Sequence, residues 1–95
     1  SITGFHVTPD ESKLWLITKD TVFEMNKNNE NNLKVTKRYP VVKKVPIKWH
    51  DYNFRYWAKL YISNSGAKWI FSNYGLFLFE ENQGIFREFR GTIPK

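Results

Sequence analysis

Apolar residues in this chain come in short alternating runs, cut by small polar clusters. "FHV" (5–7) precedes the turn-like "TPDESK". "LWLIT" (14–18) and "TVFEMN" (21–26) flank a two-residue break, and "LKVTKRY" (33–39) follows the Asn-rich "KNNENN". In this last run Leu33, Val35 and Tyr39 share one face with Lys37 between them, and Pro40 ends it. The second half repeats the rhythm with "KLYIS" (59–63), "KWIFS" (68–72), "LFLFE" (76–80) and "IFREF" (85–89). Between them lie "NSGA", "NYG", where Gly75 is free to take positive φ, and the hairpin turn "ENQG". No window of eleven carries apolar residues at helical spacing. The chain therefore reads as all-β, in antiparallel four-stranded sheets.

The two halves superpose. At a spacing of 54 residues Trp15 falls on Trp69, Thr18 on Ser72, Val22 on Leu76, Phe23 on Phe77 and Met25 on Phe79. After the longer turn of the first half, Val35 meets Ile85, Lys37 meets Arg87 and Tyr39 meets Phe89; upstream, Val7 meets Ile62. Four short strands given twice is the pattern of two β-propeller blades. It divides the chain into a first blade (1–40), an irregular basic and aromatic linker (41–58) and a second blade (59–95). The recurring Trp15, Phe23, Tyr39, Trp69, Gly75, Phe77 and Phe89 read as structural repeat positions, with Trp69, Phe77, Phe79 and Phe89 filling space between sheets. A chain of 95 residues has room for one domain or part of one. With no initiator Met, it reads as an excerpt of a longer chain.

Composition agrees with strands, since 18% of the residues are aromatic. The absence of cysteine excludes disulfide scaffolds and Cys-based zinc sites. No window approaches the 18 apolar residues of a membrane span. The net charge of +6 is concentrated in residues 34–59, where Lys34, Lys37, Arg38, Lys43, Lys44, Lys48, Arg55 and Lys59 face only Asp51. Such a stretch attracts anions, or simply keeps an edge strand solvated.

Catalytic chemistry is hard to assemble from these residues. His6 and His50 are distant in sequence, and in "WHD" (49–51) successive strand side chains diverge. Glu80 and Glu81 are adjacent in a turn, so they diverge as well. No phosphate loop or nucleophile elbow occurs. The expectation is a binding module without cofactor or metal, not an enzyme.

Within "YNFRYWAKLYI" (52–62), alternation places Tyr52, Phe54, Tyr56, Ala58, Leu60 and Ile62 on a core face. Asn53, Arg55, Trp57, Lys59 and Tyr61 take the other face. Aromatic faces beside cations suit sugar rings, so Trp49, Arg55, Trp57, Lys59 and Tyr61 are the candidate ligand-binding residues. The alternative is that Trp57 and Tyr61 pack beneath a neighbouring sheet while Arg55 and Lys59 reach to water. A second functional reading takes the basic, aromatic stretch 34–61 as a binder of single-stranded nucleic acid, although no RNA-binding signature accompanies it.

"KWIFSNYGLFLFEENQGIFREF" (68–89) resembles the two-component regulator propeller repeat: a Trp-strand ending in Ser or Thr, a Gly turn, Leu-Phe, a short acidic or Asn turn and an aromatic-ended strand. "KLWLITKDTVFEMN" (13–26) is similar but carries Thr21 in place of the Gly. The resemblance implies part of a periplasmic β-propeller sensor of a bacterial hybrid histidine kinase that recognises an oligosaccharide. It also implies partners in the remaining blades, or in further copies of the chain.

Overall fold

Each apolar run becomes a strand. A computed structural model describes residues 2–43 and 55–89. It contains β1 (Ile2–Val7), β2 (Lys13–Thr18), β3 (Thr21–Lys27), β4 (Leu33–Val42), β5 (Ala58–Ile62), β6 (Lys68–Ser72), β7 (Gly75–Glu80) and β8 (Ile85–Glu88), with no helix among the described residues. The β2–β3 and β6–β7 turns are built alike. The Thr18 hydroxyl donates to the Thr21 carbonyl at 2.9 Å, and the Ser72 hydroxyl donates to the Gly75 carbonyl at 2.5 Å. Gly75 has φ 148°, a conformation that side chains disfavour.

β1–β4 and β5–β8 are two antiparallel meanders, as the pattern predicts. They are not separate four-stranded sheets, as expected, but are joined into one eight-stranded sheet of order β1-β2-β3-β4-β8-β7-β6-β5, because β4 extends far enough to pair with β8. The join is a short parallel pair, Val41 with Phe86 and Val42 with Arg87. It exists because β4 runs past Pro40, where the sequence predicts its end. The Val41 N–H donates to Asp20 of the β2–β3 turn, so the ring nitrogen of Pro40 falls on the other side of the strand. There β8 has not yet begun to pair, and no ladder bond is lost. β4 thus takes Val41 and Val42 from the expected linker, and β5 takes Ala58.

The sheet folds back on itself until β1 meets β5 and it is nearly closed. At this seam a Cβ on Gly4 would run into the carbonyl oxygen of Ala58. The Thr3 and Tyr74 hydroxyls are 2.9 Å apart across the fold. The core lies between the facing meanders. It holds Trp15, Ile17 and Val22 from one side and Ala58, Leu60, Ile70, Phe77 and Phe86 from the other. Tyr39 links the two, 5.0 Å from Phe79 and 6.2 Å from Phe86, edge-on to both rings.

Two sequence expectations about faces change. Thr36 forms a bulge, so Lys37 opposes Glu24 while Val35 opposes Met25. Tyr39 and Lys37 therefore turn inward, and Leu33 and Val35 turn out. On β6 and just past the end of β8, Trp69 and Phe89 do not fill the inter-sheet space. Ile70, next to Trp69, and Phe77, paired with the Glu88 that precedes Phe89, are fully buried, so alternation sends Trp69 and Phe89 to the outer face. There they meet edge-on at 5.6 Å.

Candidate functional site

Trp57 is positioned by the turn after β6. The Trp57 N–H donates to Asn73 Oδ1 at 3.1 Å, and Asn73 Nδ2 donates to the Arg55 carbonyl at 2.6 Å. One Asn side chain thereby fixes the backbone of residues 55–57 against the β6–β7 turn. From this anchor β5 runs with Ala58 and Leu60 buried and Arg55, Trp57, Lys59 and Tyr61 exposed, the alternation read from the sequence.

The strand register adds a residue that the sequence does not reveal. Lys59 pairs with Phe71 on β6, so Phe71 stands beside Lys59 on the same face. Trp57, Lys59, Leu60, Tyr61 and Phe71 line an open groove of about 550 Å³. Tyr61 and Phe71 meet edge-on at 6.5 Å. Trp57 is 49% exposed, Tyr61 57% and Phe71 47%. Three large rings left half in water around one groove are a costly arrangement unless something covers them. Trp49 lies outside the described residues. Among the described residues the basic stretch does not form one stripe. Lys34, Lys37 and Arg38 lie on β4 and Lys59 on β5, four strands away in the sheet, or roughly 19 Å at about 4.8 Å per strand.

A second concavity, which no local sequence pattern signals, opens at one end of the inter-sheet space. Trp15, Glu24, Lys37, Tyr39, Lys68 and Glu81 are among its lining residues, with a volume near 390 Å³. Glu24 is buried yet held only at 3.4–3.5 Å by Asn26 Nδ2, the Thr36 hydroxyl and the Tyr39 hydroxyl. Among the described residues nothing accepts a hydrogen bond from the buried Nε1 of Trp15. Read locally, a Glu in an alternating strand is a solvent-facing residue. Only the stacking of the two meanders puts this one inside.

Burial pushes the Tyr39 phenol above its ordinary value, and the Glu24 carboxylate adds to the shift. The folded state thus holds this proton more tightly than the unfolded chain does. The resulting stability is present below about pH 10 and is lost as pH rises through the raised folded value. Melting temperature is expected to fall above that point, and less steeply in Tyr39→Phe. Identical alkaline slopes for the two proteins would remove Tyr39 as a cause.

His6 pairs with Trp15 on the inner side of β1. No group of three or more His, Cys, Asp or Glu side chains that could hold a metal occurs among the described residues. No family model matches the chain, and no curated protein or solved structure matches it.

Proposed function

We propose that the chain is a binding module of a β-propeller sensor, whose ligand is an oligosaccharide seated on Trp57, Tyr61 and Phe71. The observation that carries this reading is the groove itself: three half-exposed rings with Lys59 in its lining. Flat apolar ring faces match the C–H faces of a pyranose. Lys59, with Arg55 exposed nearby, supplies charged donors for hydroxyls or a uronate carboxylate. Asn73 holds the Trp57 backbone in place before the ligand arrives, which lowers the ordering cost of binding. By its resemblance to the two-component regulator propeller repeat, the module belongs to a periplasmic receptor that signals to a histidine kinase. Signalling then requires that the ligand bind two arrangements of the receptor with different affinity.

Titration calorimetry with a panel of neutral and uronate-bearing oligosaccharides tests the reading. Trp57→Ala is expected to weaken binding at least tenfold, about 1.4 kcal/mol, with the melting temperature unchanged. Lys59→Gln is expected to act mainly on the uronate-bearing members. Binding by no member of the panel, or a Trp57→Ala affinity within twofold of the parent, would overturn it.

A further inference from the structure

The pairing registers relate the two meanders row by row. The inner rows of β1–β4 are Gly4–Ile17–Val22–Tyr39 and His6–Trp15–Glu24–Lys37. At the spacings that align the two halves, these map onto Lys59–Phe71–Leu76–Phe89 and Tyr61–Trp69–Leu78–Arg87. Those are rows of β5–β8, but they lie on its outer face. Conversely, the outer row Phe5–Leu16–Phe23–Arg38 maps onto the inner row Leu60–Ile70–Phe77–Glu88. Equivalent positions thus have opposite burial. Ile17 is fully buried, whereas its counterpart Phe71 is half exposed; Leu60 is 5% exposed, whereas its counterpart Phe5 is 65% exposed.

This inversion is what two like units stacked front to back produce. The core is the front of the first unit against the back of the second. Among the described residues the front of the second and the back of the first are then left open, and they are the same two kinds of surface that already fit each other inside the chain. Both open faces are largely apolar: Trp69, Phe71, Leu76, Leu78 and Phe89 on one, with Lys59 and Arg87 beside them, and Phe5, Val7, Leu16, Phe23, Met25 and Val35 on the other, with Arg38. At Leu78 the open front lacks the carboxylate that its counterpart Glu24 buries, which lowers the cost of covering it.

We propose that the outer face of β5–β8 docks onto the outer face of β1–β4 of a second copy of this chain, head to tail. The molecule measures 44 × 34 × 23 Å, so its broad faces are large enough for the roughly 800 Å² per partner of a standard interface. The contact is heterologous, with different surfaces on the two partners. Its register follows from the core. Tyr39 contacts Phe79 and Phe86 inside the chain, so its counterpart Phe89 meets Met25 and Thr36 of the next copy, the counterparts of those two residues. The seam is where the copy contact differs. Gly4 lets β1 close on Ala58, but its counterpart is Lys59, whose side chain keeps the next copy from closing on β5. Trp57 and Tyr61 then stay accessible in a cleft between copies, with Phe71 at its margin.

The chain has no cysteine, so engineered thiols report this register cleanly. Phe89→Cys and Met25→Cys chains are mixed and oxidised, and sedimentation follows association of the parent and of Phe89→Asp. Mixed disulfide dimers are expected in excess over either homodimer, and Phe89→Asp is expected to raise the association midpoint at least tenfold. A statistical mixture of dimers, or a parent chain that stays monomeric into the high micromolar range, would overturn the proposal. The cysteine variants change only side chains outside the buried core, so folding does not confound the result.

Discussion

Phe77→Ala is expected to lower the melting temperature by about 15–30 °C. Phe77 is fully buried between the two meanders and meets Tyr74 edge-on at 6.0 Å. Truncating a buried Phe costs about 3–5 kcal/mol, because the transfer free energy is lost and a cavity remains. That is a large share of the roughly 5–15 kcal/mol that holds a domain together. In a domain of this size each kcal/mol moves the midpoint by about 4–8 °C. The informative comparison is Phe71→Ala, at the other face of the neighbouring strand and 47% exposed. Measured where the chain is monomeric, it is expected to cost less than about 1 kcal/mol. Equal losses in calorimetry would mean that the face assignment is wrong.

Gly4→Ala is expected to be damaging as well, by a different route. The added methyl meets the Ala58 carbonyl oxygen, which is backbone and cannot rotate away. The seam between β1 and β5 must open, at about 1–3 kcal/mol for overpacking. The hydrogen bond between Thr3 and Tyr74 is lost with it. Amide exchange is expected to accelerate along Ala58–Ile62, while β3 and β7 stay protected. Gly66→Ala provides the contrast. Gly66 sits in a turn at φ 91° with open space around its Cα, so its cost is conformational and stays local. If Gly4→Ala leaves both stability and exchange unchanged, β1 does not close on β5.

Much of the candidate site was legible because it rests on local rules. Period-two alternation placed Trp57, Lys59 and Tyr61 opposite Ala58 and Leu60, and this is how β5 presents them. Phe71 was not legible as part of the groove, since its place beside Lys59 depends on how β5 pairs with β6. Glu24 and Trp15 were hidden for the same reason. Their cleft forms between strands far apart in sequence, and no local pattern encodes it.

The sequence by itself determined the strands, their turns and the doubled order of four. These follow from side-chain alternation and from residues such as Gly75, Thr18 and Ser72 that shape a turn through nearby backbone. It could not determine which face of each strand lies inside. Leu16 and Ile17, Phe23 and Val22, and Phe71 and Ile70 are adjacent pairs with apolar side chains on both faces, so alternation has no polar side to send outward. Only the packing of one meander on the other made that choice. Because it stacks the front of one on the back of the other, it buried Ile17 and Phe77 and left their counterparts Phe71 and Phe23 on the outer faces.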